Sequence, residues 1–101
     1  MNVLDPRNAD ILVYVNGKLR PRSEAAVSVF DSVVQGGDAV WEGLRVYNGR
    51  VAALDAHLKR LQDSAHALLF SDVPSCDDVR GAVFDTLQAN GMRDNAHIRL
   101  T

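Results

Sequence analysis

Gly36 to Ser64 reads GGDAVWEGLRVYNGRVAALDAHLKRLQDS, and the change of hydrophobic period inside it decides the fold. From Ala39 to Tyr47 the residues alternate as a strand requires. Val40, Glu42, Leu44 and Val46 point one way, and Trp41, Gly43, Arg45 and Tyr47 the other. Asn48-Gly49 supplies a two-residue hairpin turn, with Val51 to Leu54 as the returning strand. The period then becomes helical: Leu54, Leu58, Leu61, Ala65, Leu68 and Leu69 recur on one arc behind Asp55, the expected N-cap.

Working outward, Ile11 to Val15 is a short apolar run closed by Asn16-Gly17, a second hairpin signal, and Lys18 to Arg20 returns until Pro21 cuts it off. Glu24 to Phe30 alternates in part through Val27 and Val29, with a bend expected at Phe30-Asp31-Ser32. On the other side a second helix follows Pro74. Ser75 is its cap, Asp78 stands three residues on, and Val79, Ala82, Val83, Thr86 and Leu87 face inward until Asn90-Gly91 stops it. Asn95 to Thr101 is β-prone again. Two Asn-Gly hairpins imply an antiparallel sheet, and strands with segregated helices make the chain α+β. Residues 1–10 are read as an N-terminal arm and 11–101 as one folded domain. Because the last β-prone run ends without a turn, the chain is expected to be a piece of a longer protein.

Composition excludes several classes. The 101 residues suffice for one domain, which by size scaling buries roughly 65% of its unfolded surface. A net charge of −2 with dispersed basic residues argues against nucleic-acid binding. No apolar run is long enough to span a membrane. The single cysteine, Cys76, rules out an internal disulfide, so a reducing cytoplasm is the expected compartment. The three histidines lack metal-ligand spacing, no phosphate-binding glycine loop of the nucleotide type is present, and no nucleophile–base pair is readable. Neither Lys18 nor Lys59 is placed to be a desolvated amine nucleophile.

Few residues remain that could carry chemistry. At about 100° per residue, His57, Arg60 and Ser64 form a polar stripe on the flank of the leucine arc. Such a flank suits a half-buried anion site, because arginine offers a fixed fork of donors. It equally suits an arginine that lays its stem along the surface while His57 bonds a carbonyl. Trp41 and Arg45 share one strand face and read either as packing or as a pocket wall. His97 and Arg99 share a face of the last strand, where an arginine is either solvated or placed for a carboxylate. Gly36-Gly37 reads as a bend or as a close approach to ligand.

Together the blocks VNG at Val15–Gly17, VSVFDS at Val27–Ser32, GDAVWEGLRVYNG at Gly37–Gly49, HLKRL at His57–Leu61 with Ser64-Ala65, and HIRLT at His97–Thr101 resemble the class IV (fold-type IV) pyridoxal-phosphate enzymes. The likeness runs from Leu12 to Thr101 and is nearest in flavour to branched-chain amino-acid aminotransferases. It implies the small N-terminal domain of a two-domain enzyme that moves an amino group between an amino acid and a 2-oxo acid, working as a homodimer. It implies that Arg60 grips the phosphate of pyridoxal 5'-phosphate, that Trp41 lines the substrate side-chain pocket and that Arg99 lies near the substrate carboxylate. Arg45 is a weaker carry-over.

The chain departs from the family pattern at three places. His97 stands where the family's tyrosine precedes the arginine. Val34 stands where D-amino-acid aminotransferases carry a carboxylate-binding tyrosine, which argues against that specificity. Gly36 stands where branched-chain enzymes have a tyrosine, so Gly36 together with Trp41 is expected to reshape the substrate pocket. The resemblance further implies that the Schiff-base lysine, the carboxylate opposite the pyridine nitrogen and a second phosphate-binding loop lie downstream of Thr101. The chain is therefore expected to hold no catalytic residue and not to transaminate alone. The alternatives are an aminodeoxychorismate lyase, which shares the cofactor, and a stand-alone dimerisation module of the same fold.

Overall fold

A computed structural model describes residues 5–101. Strand β1 (Leu12–Val15) pairs antiparallel with β2 (Lys18–Pro21) in a two-stranded hairpin. Asn16 and Gly17 take φ of 50° and 85°, the left-handed pair that a twisted two-residue turn requires. Pro21 ends β2 opposite Leu12 and does not shorten it. It sits at the outer end of an edge strand, where no ladder N–H is lost. Of the expected arm, residues 1–4 lie outside the described residues. Arg7 donates to the carbonyl of Asn95 at 3.0 Å, and Arg22 to that of Asn8 at 2.8 Å.

The partial alternation from Glu24 to Phe30 forms no strand. Arg22–Glu24 is a single 3-10 turn, and the apolar side chains after Ala25 stand in the open, with no neighbouring strand to pair. A five-residue helix, α1 (Ser32–Gly36), follows where only a bend was expected. Asp31 caps it by accepting the N–H of Val33 at 2.9 Å, and Gly37 closes it at φ 71°.

The central strand β3 (Glu42–Tyr47) lies between β4 (Arg50–Val51) and β5 (Ala96–Leu100), all antiparallel, in the order β4-β3-β5. Helices α2 (Leu54–Ala67) and α3 (Cys76–Ala89) cover one face of this sheet. Strand β4 is shorter than expected because Ala52 and Ala53 are spent on turning the chain into α2. Ala53, at φ 51°, occupies the cap position without a side-chain bond, so Asp55 is not the cap. It lies one position inside the first turn, paired with Arg80. Ser75 does cap α3, accepting the N–H of Asp78 at 3.1 Å.

Leu44 and Val46 of β3 meet Val83 and Leu87 of α3, while Leu58, Leu61 and Ala65 bury the inner arc of α2. Each fully buried aliphatic side chain contributes roughly 1.5–3 kcal/mol. Leu68 and Leu69 do not join this arc: α2 ends at Ala67, and they stand 52% and 89% exposed. Leu69 is at φ 61°, and the N–H of Phe70 returns to the carbonyl of Ala65, the backbone geometry of a helix stop. The Asn90 side chain clamps β1 to the end of α3, accepting the N–H of Leu12 at 2.8 Å and donating to its carbonyl at 3.0 Å. The second face of the three-stranded sheet is left uncovered by the helices.

Candidate functional site

The uncovered face is where the strand candidates gather. Register places Gly43 opposite Arg99 and Arg45 opposite His97. The guanidinium carbon of Arg99 lies 4.5 Å from the centroid of the Trp41 ring, within cation–π range. A Cβ on Gly43 would stand 3.2 Å from the His97 ring and 3.7 Å from that of Trp41, so the missing side chain lets both rings lie across the strand. Arg45 donates to the Tyr47 hydroxyl at 3.3 Å. Trp41 is 55% exposed, outside the packed core of the described residues.

The opposite phase of the same strand carries a charge into the packed layer. Glu42 is 6% exposed, in line with Leu44 and Val46. Its carboxylate accepts Arg60 Nε at 3.0 Å on each oxygen and Arg60 Nη2 at 2.6 Å on Oε1. His57 Nδ1 lies 2.6 Å from Oε1. The Arg60 guanidinium first, and His57 second, hold the Glu42 carboxyl down from its ordinary 4.5 to about 2. An ionised carboxylate only accepts, so His57 carries its proton on Nδ1 and turns Nε2 away. Ser64, on the same helix flank, makes no side-chain hydrogen bond with either residue. Sequence reasoning passed over Glu42. Its signal was present, as a lone acid in the buried phase of a strand fifteen residues before a histidine.

The structure thus sorts the candidates into two groups and leaves one apart. Trp41, Arg99 and Arg45 share the uncovered face with His97. Arg60 stands on the helix side against Glu42, with no hydrogen bond or stacking contact to Trp41, Arg45 or Arg99. Glu42 and Trp41 are consecutive, so the two groups approach one another at the N-terminal end of β3. Gly36 belongs to neither: it sits in the last turn of α1, and the nearest atoms a Cβ there would meet belong to Asp38.

Residues 39–101, well over half of the chain, match the family model described as amino-transferase class IV. The chain belongs to the class IV aminotransferases. Within that family it is similar to "Branched-chain-amino-acid aminotransferase-like protein 2" of Arabidopsis thaliana, 57% identical over 96 residues, which are 95% of this chain and 17% of the relative. Among solved structures it resembles a branched-chain aminotransferase from the archaeon Thermoproteus uzoniensis crystallised with norvaline. The TM-score is 0.81 at 30% identity, covering 90% of this chain and 32% of that one. A second is a T.th. branched-chain amino acid aminotransferase complexed with N-(5'-phosphopyridoxyl)-L-glutamate, with TM-score 0.80 at 28% identity, covering 90% and 32%. The chain therefore spans a third or less of the relatives it matches. It is branched-chain-aminotransferase-like, and its mixed α+β fold corresponds to the N-terminal small part of those enzymes.

For a class IV aminotransferase the group to be tested against these residues is a pyridoxal phosphate. Arg60 fits its phosphate end: Nε and Nη2 are held by Glu42, Nη1 has no bond among the described residues, and the side chain is 66% exposed. One edge of the guanidinium is thus fixed and the other faces outward, the arrangement a phosphate oxygen needs. Neither lysine is desolvated. Lys59 is 78% exposed and paired with Asp63 at 3.1 Å, and Lys18 is exposed on an edge strand. Among the described residues no helix is long and apolar enough to cross a membrane.

Proposed function

We propose that residues 11–101 are the small N-terminal domain, preceded by an arm at 1–10, of a pyridoxal-phosphate aminotransferase. The whole protein moves an amino group between a branched-chain-type amino acid and a 2-oxo acid in the cytoplasm. Bound pyridoxal 5'-phosphate supplies the electron sink for the chemistry at the substrate α-carbon. This chain supplies binding and orientation. Arg60 holds the phosphate through its free edge. Arg99, steadied over the Trp41 ring, takes the substrate carboxylate, and the ring itself lines the side-chain pocket. Arg45 adds positive charge along the same face, and Gly36, though apart from both groups in α1, stands by the resemblance where a larger residue would narrow the pocket of the whole protein. Proton transfer falls to a lysine elsewhere in the whole protein, so this chain contributes no catalytic residue.

The observation that carries this proposal is the guanidinium of Arg60, fixed along one edge and free along the other at the end of β3. Exposed apolar residues support a larger assembly. Val29, Phe30 and Leu69 are 63%, 84% and 89% exposed, surface that the remainder of the protein and a second subunit of a homodimer would cover.

The test uses the full-length protein. Leucine, isoleucine and valine are each mixed with the cofactor-loaded protein, and conversion of the cofactor to its amine form is followed by absorbance, beside phenylalanine, D-alanine and glutamate. Branched-chain substrates are expected to react fastest. The Trp41→Ala variant is expected to lose that preference by about tenfold, within the range that pocket contacts supply. An unaltered profile would remove Trp41 from the pocket. Elimination of pyruvate from a chorismate-derived amine in place of transamination would convert the reading to a lyase.

A further inference from the structure

Arg60 is the exposed member of its ion pair and Glu42 the buried one, an asymmetry that a surface salt bridge does not have. An arginine side chain has four rotatable bonds, and a mostly exposed one populates many rotamers unless something selects among them. Glu42 selects. Its carboxylate lies against the Nε–Nη2 edge and takes three contacts from it at 2.6–3.0 Å. The carboxylate is itself immobilised, being 6% exposed in the strand phase of Leu44 and Val46, which are 0% and 1% exposed. His57, on the same helix turn as Arg60, also holds Oε1, at 2.6 Å. With Nε and Nη2 committed, the remaining donor edge at Nη1 has one direction left to point.

We propose that Glu42 is a positioning residue for the cofactor phosphate: it fixes the guanidinium of Arg60 so that the Nη1 edge is presented to the phosphate ester. This rests on Arg60 holding that phosphate. Plain electrostatics predicts the opposite effect of removing Glu42, because a negative charge beside Arg60 weakens its pull on an anion. The sign of the change therefore separates positioning from charge.

The experiment measures binding of pyridoxal 5'-phosphate and of pyridoxal, the same ring without the phosphate, to the full-length apoprotein by cofactor absorbance. Glu42→Gln keeps the volume and removes the charge, placing an amide donor against Arg60. It is expected to weaken pyridoxal 5'-phosphate about tenfold, the lower end of what loss of an orienting partner costs at metal sites, and to leave pyridoxal within about twofold. Equal loss of both ligands would mean general loosening and would overturn the proposal, as would unchanged or tighter binding of the phosphorylated form. If Glu42→Gln does not fold, Glu42→Asp decides. It keeps the charge but withdraws the carboxylate by one methylene, and the same selective loss is expected. In an Arg60→Ala background Glu42→Gln is expected to add nothing, and an additive loss would contradict positioning. Should Arg60→Ala alone leave the phosphorylated form bound as tightly, the phosphate reading itself fails. Should Arg60→Ala weaken it and Glu42→Gln not, only the role of Glu42 fails.

Discussion

At Trp41 and Glu42 the alternation of a strand sends one side chain to each face of the sheet. Trp41 goes to the open side with Arg99 stacked on it, and Glu42 goes under α2 to meet Arg60 and His57. The second placement has a pH signature. The folded-state pKa of Glu42 is depressed from 4.5 to about 2. A depressed carboxyl contributes stability that is fully present above the unfolded value and is lost as pH falls through the folded one. In the full-length protein, the wild type should therefore exceed Glu42→Gln in unfolding midpoint above pH 4.5, with the gap closing toward about pH 2. A gap independent of pH would show that the carboxylate is not ionised against Arg60. The helix wheel placed Arg60 on the flank of the buried arc, since a flank position depends only on spacing, and left open whether it snorkels or meets an anion; the phosphate role came from the resemblance alone. Glu42 stood out only as a lone acid in the buried phase of its strand; its partner was not legible, because Arg60 lies eighteen residues away on another element, and spacing along a strand says nothing about what crosses above it.

Among the elements, the turns and the cap of α3 matched their local sequence signals, whereas Asp55 does not cap α2. Both Asn-Gly turns have positive φ at each position, and Ser75 caps α3. The segment from Glu24 to Gly36 did not match, because Val27 and Val29 imitate a strand that has no partner to pair with, while Asp31 and Gly37 bracket a helix of one turn or so. Leu68 and Leu69 continue the leucine spacing past the point where the backbone turns away, so periodicity alone overran the helix. Asn90 shows how a stop signal can also serve tertiary structure: its side chain holds both backbone groups of Leu12. Removing it leaves those half-buried groups without their partner, so Asn90→Ala is expected to cost about 1–3 kcal/mol. Chemical denaturation checks this. The loss should be accompanied by faster amide exchange at Leu12, and unchanged exchange there would separate Asn90 from the hairpin.

For the molecule as a whole, the α+β architecture followed from one change of period, and the family from blocks spread over the chain. The layout of the site did not follow so directly, because a strand end with candidates on both faces is only half of a cleft. Trp41, Arg45 and Arg99 are exposed on a face the helices do not cover, and Arg60 offers one free edge. Both features belong to a chain that spans a third or less of its relatives. The proposed function stands or falls with Arg60 holding the phosphate end of the cofactor. Equilibrium dialysis of the full-length protein and its Arg60→Ala variant against pyridoxal 5'-phosphate tests it most directly. The dissociation constant is expected to be at least about tenfold larger for the variant, the size expected when a charge-assisted pair to phosphate is lost. Equal retention by the two proteins would contradict it.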